Sequence, residues 1–179
     1  MENIEKLLNK HGLNYVKINL KKSKGYLLYS NDTADDSLYN NECQEIRTKE
    51  KRNIYRYYYY EKLENNNPLH ATIVMMNLAF ADSVEPDNTI KNIENYLDNE
   101  KDAILKHLPN IHNKFGSFDI INLYPIRMPK SEKLNEFLGL TKNETENYQQ
   151  FVKEYLSKID KNHIVIAAWG GDKKDNELA

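Results

Sequence analysis

His70-Ala71-Thr72-Ile73-Val74-Met75-Met76-Asn77 is an almost unbroken apolar run that ends on an amide. A strand with one wet face alternates apolar and polar residues, whereas a strand covered on both faces reads as a continuous run, the habit of parallel sheets. Two more such runs follow, Phe118-Asp119-Ile120-Ile121-Asn122-Leu123 and His163-Ile164-Val165-Ile166-Ala167-Ala168-Trp169. Helical spacing fills the stretches between them. Ile90, Ile93, Tyr96 and Leu97 share a helix face behind a cap at Asp87 or Asn88, with a continuation to Leu108 left open. Leu134, Phe137 and Leu138 belong to a second helix, starting at Ser131 and stopped by Gly139. Residues 144–159 carry a third apolar stripe that includes Tyr148, Phe151, Val152 and Tyr155. Strand, helix, strand, helix, strand implies right-handed crossovers. The expected fold is therefore α/β, a central, mainly parallel sheet with helices on both faces.

Working outward, Ile54 to Leu63 reads as a strand around Tyr57-Tyr58-Tyr59-Tyr60, and Asn65-Asn66-Asn67-Pro68 as a turn. Toward the N-terminus, Ile4, Leu7 and Leu8 recur at helical spacing from Glu2 to His11, and Gly12 is a natural stop. Asn14–Leu20 and Gly25–Tyr29 alternate across a basic turn and predict a hairpin. Asn31 to Glu45 is polar and expected to be a loop. With 179 residues, no repeat and no clean linker, one domain is expected. In it, residues 1–46 add a helix, hairpin and loop to a core over 47–179.

Composition excludes some classes of function. Hydrophobic residues make up 40% and charged ones 29%, an ordinary globular balance. No apolar run approaches the roughly 20 residues that cross a bilayer, and the first residues lack a signal-peptide layout. A single cysteine, Cys43, forms no internal disulfide, so a cytoplasmic location is expected and no membrane partner. The net charge of -2 provides no global attraction for nucleic acid, so such binding needs a local patch. No zinc-ligand spacing, phosphate-cradling glycine loop or Gly-x-Ser-x-Gly elbow occurs, and no cofactor or metal is expected.

In open α/β sheets ligands bind beyond the carboxyl ends of the strands. The residues there are Asn77, then Asn122 with Tyr124 and Arg127, then Trp169-Gly170-Gly171. An asparagine amide offers a donor and an acceptor together, matching the edge of a nucleobase or orienting a water. Tyr124 and Trp169 offer stacking faces, and Arg127 a phosphate contact. The plainer alternative is that the asparagines cap turns and Trp169 packs in the core. A second candidate is the strip from Arg47 to Lys62, where basic residues including Arg52 and Arg56 interleave with tyrosines such as Tyr58. Such a strip binds single strands through phosphates and stacking. Alternatively it is an edge strand with alternate tyrosines packed, or a dimer surface.

These residues also carry a resemblance. Met75-Met76-Asn77-Leu78-Ala79-Phe80-Ala81-Asp82 followed by Asp87-Asn88-Thr89-Ile90 resembles the "LNPSTAD…DPTI" signature of domain-of-unknown-function family 1643. Ile121-Asn122-Leu123-Tyr124-Pro125-Ile126-Arg127 is similar to its "VNLFAYR" block, and Ile166-Ala167-Ala168-Trp169-Gly170 to its "VAAWG" strand. Arg56-Tyr57 matches an upstream "RY" pair. In order and spacing the blocks run from Arg56 to Gly171. They resemble in turn those of the uracil-DNA glycosylase superfamily, which implies a glycosylase-like fold. The resemblance makes Asn77 the water-positioning residue, Asn122 the base-reading residue, and Arg127 an arginine shared by both patterns.

The departures bear on mechanism. Leu78 and Ala79 stand where the family has Pro and Ser. Nothing after Trp169 matches the family's final histidine-bearing segment, which would stabilise the departing base and enter the DNA. Breaking an N-glycosidic bond needs that stabilisation, and extruding a base costs a few kcal/mol. His70 and His163 start strands, at the wrong end of the sheet, and His107 or His112 would reach the site only if the loop between helix and strand folds over it. The expectation is a catalytically inactive glycosylase-like protein that binds nucleic acid or a protein partner. Single-stranded DNA or a nucleotide is the expected ligand. The alternative is an active hydrolase releasing a base from DNA or a nucleotide, with Asn77 catalytic.

Overall fold

The computed structural model describes residues 4–20, 24–30, 55–63, 67–76, 88–99, 115–125, 142–160 and 163–168. Within them, α1 (Ile4–Lys10) precedes β1 (Tyr15–Asn19), β2 (Lys24–Ser30), β3 (Arg56–Lys62) and β4 (His70–Met75). Then come α2 (Asn88–Asn99), β5 (Ser117–Asn122), α3 (Lys142–Ser157) and β6 (His163–Ala167). The expected helix from Ser131 to Leu138, the loop over 31–45 and any continuation of α2 to Leu108 lie outside the described residues.

Gly12 closes α1 as its sequence suggests. Its φ of 70° is left-handed, a conformation that costs glycine nothing. The Gly12 N–H donates to the Asn9 carbonyl at 3.0 Å and the Leu13 N–H to the Leu8 carbonyl at 3.0 Å. This is the paired Schellman closure, and Leu8 and Leu13 both enter the same buried cluster.

The six strands form one sheet in the order β1-β2-β3-β5-β4-β6. The three apolar runs pair parallel as expected, with β4 between β5 and β6. The expectation of a mainly parallel sheet is corrected, because the β1–β2, β2–β3 and β3–β5 pairings are all antiparallel. The hairpin does not sit apart from the core; it continues the same sheet through β3. A continuous apolar run carries no information on the direction of the neighbouring strand.

Helices cover both faces. On one, Leu7 and Leu8 of α1 and Phe151 and Tyr155 of α3 pack on Leu28, Tyr58 and Ile121. On the other, Ile90 and Leu97 of α2 pack on Leu27, Tyr59, Ile73, Phe118 and Ile120. The neighbours Leu27/Leu28, Tyr58/Tyr59 and Ile120/Ile121 thus divide between the faces, as the two-residue period of a strand requires. No helix among the described residues is long and apolar enough to cross a membrane.

Two expectations about strands change. β6 read as covered on both sides, but Ile164 and Ile166 pack inward while Val165 is 49% exposed. β6 ends the strand order, and one of its faces is wet along the described residues. β3, allowed as an edge strand, is instead central, and Tyr57, Tyr58 and Tyr59 are each at most 2% exposed. The β2–β3 register steps from Leu28 opposite Tyr58 to Tyr29 opposite Arg56, so Tyr57 is an extra residue. Such a bulge lets sequence neighbours share a face. Tyr57 and Tyr58 accordingly both enter the α1/α3 side of the core.

Candidate functional site

Main-chain bonds gather the carboxyl ends of the parallel strands at one rim. The Leu123 N–H donates to the Met75 carbonyl at 2.8 Å and the Tyr124 N–H to the Met76 carbonyl at 3.2 Å. From the other side, the Ala168 N–H donates to the Val74 carbonyl at 2.7 Å. Because β3 runs antiparallel to β5, its beginning reaches the same rim, and the Arg56 N–H donates to the Pro125 carbonyl at 3.0 Å. Asn122, Tyr124 and Arg56 are therefore brought together. Asn77, Arg127, Trp169 and Arg52 lie outside the described residues; Met76 and Ala168, which precede two of them, stand at this rim.

Asn122 is the last residue of β5 and is 1% exposed. Its neighbours Ile120 and Phe118, at the same strand parity, pack toward α2. The Asn122 backbone N–H donates to the Tyr148 hydroxyl at 3.3 Å, and that hydroxyl donates to the Tyr57 carbonyl at 3.2 Å. The β3–β5 ladder stops at Tyr59 opposite Ile120, and beyond it the bulge at Tyr57 breaks the register. The Tyr148 hydroxyl spans the gap from α3, with its ring stacked on Tyr57 at 5.8 Å between centroids. Burial pushes this hydroxyl well above the ordinary tyrosine range, and the Asn122 N–H and the Arg56 charge only partly oppose that. While its backbone is held in this way, the Asn122 side-chain oxygen, Oδ1, is buried and accepts no hydrogen bond among the described residues.

Tyr124 is half-buried against the α1/α3 cluster. Arg56 is 3% exposed, with its guanidinium carbon 5.6 Å from the centre of the Tyr59 ring. The tyrosine-rich strip is corrected as a surface. Tyr58 is 2% exposed and donates its hydroxyl to Asp119 at 2.7 Å, so its ring is part of the core and presents no face to a nucleic-acid strand.

A second polar cluster, at the opposite rim where β4, β5 and β6 begin, is absent from the sequence reading. Asp119, fully buried, accepts the hydroxyls of Tyr58 and Tyr155 on Oδ2. Nε2 of His70 stands 3.0 Å from the same oxygen, and Nδ1 of His70 stands 2.7 Å from Ser117 Oγ. Burial first, and then the Asp119 charge, hold the Tyr58 and Tyr155 hydroxyls far above their usual range. A signal existed in the sequence. Ser117 and Asp119 alternate within one run and His70 and Thr72 within another, which places each pair on a single strand face. Among the described residues no group of three histidine, cysteine or carboxylate side chains is arranged to hold a metal ion.

A family model described as Protein of unknown function (DUF1643) matches residues 56–178. No curated protein and no solved structure matches the chain.

Proposed function

We propose, for a chain that belongs to the DUF1643 family of proteins of unknown function, that it is a catalytically silent relative of the uracil-DNA glycosylase superfamily. In this reading it shares that superfamily's fold and holds a nucleobase, of single-stranded DNA or of a nucleotide, at the carboxyl rim of β4, β5 and β6. The observation that carries the reading is Asn122, whose backbone is fixed by Tyr148 while its buried Oδ1 accepts no hydrogen bond among the described residues. An unsatisfied buried acceptor costs about 1–3 kcal/mol. The ring N–H of a heterocycle would offset that cost, and the amide nitrogen would answer a base carbonyl.

In this reading the remaining candidate residues serve the same ligand. Tyr124 and Trp169 would supply stacking faces and Arg127 and Arg52 positive charge for phosphate, while Arg56, 3% exposed, would act only through its charge. Asn77 would orient a water if any hydrolysis survives. Silence is favoured because the described histidines stand elsewhere: His70 and His163 begin strands at the opposite rim, and His11 follows α1. None is placed to take up charge on a departing base.

Fluorescence polarisation with labelled single strands at low and moderate salt tests the binding. The expected result is saturable binding that weakens as salt rises, and about a tenfold loss in Asn122→Ala, the worth of one good hydrogen bond at ~1.4 kcal/mol. Equal binding by wild type and Asn122→Ala removes the base-reading role. Abasic sites formed on uracil-containing strands above background, and lost in Asn77→Ala, would replace the silent reading with a hydrolase.

A further inference from the structure

Three groups at the amino rim of the parallel strands play no part in the nucleobase reading. Ser117 and His70 are register partners on β5 and β4, and Asp119 pairs with Thr72 one step further along the same face. Parallel register therefore lines up a hydroxyl, an imidazole and a carboxylate. Ser117 Oγ lies 2.7 Å from His70 Nδ1, and His70 Nε2 lies 3.0 Å from Asp119 Oδ2. Burial grades along the row, since Asp119 is fully buried, His70 is 3% exposed and Ser117 is partly open to solvent.

The ring is held in place from two sides. Tyr60 stacks on it with 6.1 Å between centroids, and His163 meets it edge-on at 4.7 Å. The hydroxyls of Tyr58 and Tyr155 hold the carboxylate. A carboxylate only accepts, so the nitrogen facing it carries the hydrogen. That assignment leaves Nδ1 as the acceptor facing the serine O–H. The contact to Asp119 is close but off the line of the Nε2–H bond, so Nε2 makes no aligned hydrogen bond, and Asp119 Oδ1 accepts none among the described residues. A cluster with only a structural task is normally satisfied throughout. Catalytic hydrogen bonds in ligand-free sites are commonly misaligned and tighten when substrate binds.

We propose that Ser117 is a nucleophile, with His70 as its general base and Asp119 as the residue that positions the ring, in a site that accepts acyl groups from small esters. Ser117 Oγ attacks the ester carbonyl carbon while its proton passes to His70 Nδ1. The bond from carbon to the leaving oxygen breaks, and the leaving alkoxide takes that proton from His70. Water, deprotonated by His70, then attacks the acyl-serine, releases the acid and restores the hydroxyl. The order of roles is defined by geometry and not by chain order. The site is independent of Asn122 and stands whether or not a nucleobase binds.

A fluorophosphonate tests the nucleophile directly, because attack forms the Oγ–P bond, breaks P–F, releases fluoride and leaves a stable adduct. Intact full-length protein is treated, and the adduct is located by mass spectrometry on the tryptic peptide 115–127, in which Ser117 is the only serine. The expected result is stoichiometric labelling at Ser117 that disappears when the protein is unfolded before treatment. His70→Gln should slow labelling at least about 100-fold, the usual share of a general base. Asp119→Asn should lower the maximal labelling rate without changing the half-saturating probe concentration. No adduct on Ser117 of the folded wild-type protein overturns the proposal. Equal labelling of folded and unfolded chains also overturns it, and neither result depends on a variant folding.

Discussion

Tyr148 carries its hydroxyl into a gap between β3 and β5, where it takes the Asn122 N–H and donates to the Tyr57 carbonyl. Tyr148→Phe would keep the ring and its stacking but remove the hydroxyl that two buried backbone groups share. The expected cost is about 2 kcal/mol, because leaving a buried partner unsatisfied costs more than a net hydrogen bond contributes. Urea denaturation checks it: the midpoint should fall with an unchanged slope, and a loss under 0.5 kcal/mol would show that the bridge adds nothing beyond packing. Asn122 was legible in the sequence because a polar residue ending an apolar run marks a strand end. Tyr148 was legible only as one member of a helical stripe. Its hydroxyl's task depends on the extra residue at Tyr57, and no local pattern in Tyr57-Tyr58-Tyr59-Tyr60 announces which tyrosine will be the extra one. Asp119 was hidden for a related reason, since one carboxylate in an apolar strand is explained only by partners 61 and 36 positions away, Tyr58 and Tyr155.

At the scale of elements, α1, the hairpin, α2 and α3 follow from spacing and caps, and the three apolar runs became the parallel strands. The missing step was β3. Its tyrosines alternate with no clear polar face, so the sequence leaves open whether it lies at an edge or in the centre, and pairing direction is a long-range property. Its central place has an electrostatic consequence where α2 docks. Glu61 of β3 is 5% exposed and accepts the Tyr59 hydroxyl at 2.5 Å. Glu94 of α2 faces it, and partial burial, then the Glu61 charge and a shared hydrogen bond, raise the Glu94 pKa. A carboxyl whose folded pKa is raised favours its protonated form. That contribution is full below the unfolded value, near 4.3, and is lost as pH rises through the folded value. Glu94→Gln, neutral throughout, should therefore raise the melting temperature at pH 7 and confer a smaller gain at pH 4. A lower melting temperature at pH 7 would mean that the charged pair is held by compensating partners.

At the scale of the whole molecule, length, composition and strand count pointed to one α/β sheet with helices on both faces, while the balance of parallel and antiparallel pairs did not follow from them. The chain holds thirteen tyrosines. In the fold many of them are structural. Tyr57, Tyr58, Tyr59 and Tyr148 are among the largest fully buried side chains, and Tyr155 joins them in the core. Burial, ahead of neighbouring carboxylates, raises Tyr26 to about 12 and pushes Tyr58, Tyr59 and Tyr155 higher; burial alone does so for Tyr148. In the unfolded chain each would ionise near 10. Between 10 and the folded values the unfolded state has lost protons that the native state keeps, so stability falls as pH rises through this window. The expected behaviour is alkaline unfolding in which tyrosinate absorbance rises in two stages. Exposed rings titrate first and without unfolding, and the buried set then ionises together with loss of far-ultraviolet circular dichroism. Tyr58→Phe and Tyr155→Phe should each lessen the steepness of the second stage while weakening the fold at neutral pH, where their hydroxyls serve Asp119. A single titration near 10 for all thirteen, with the dichroism intact, would place these rings in water and contradict the core described for β3 and α3.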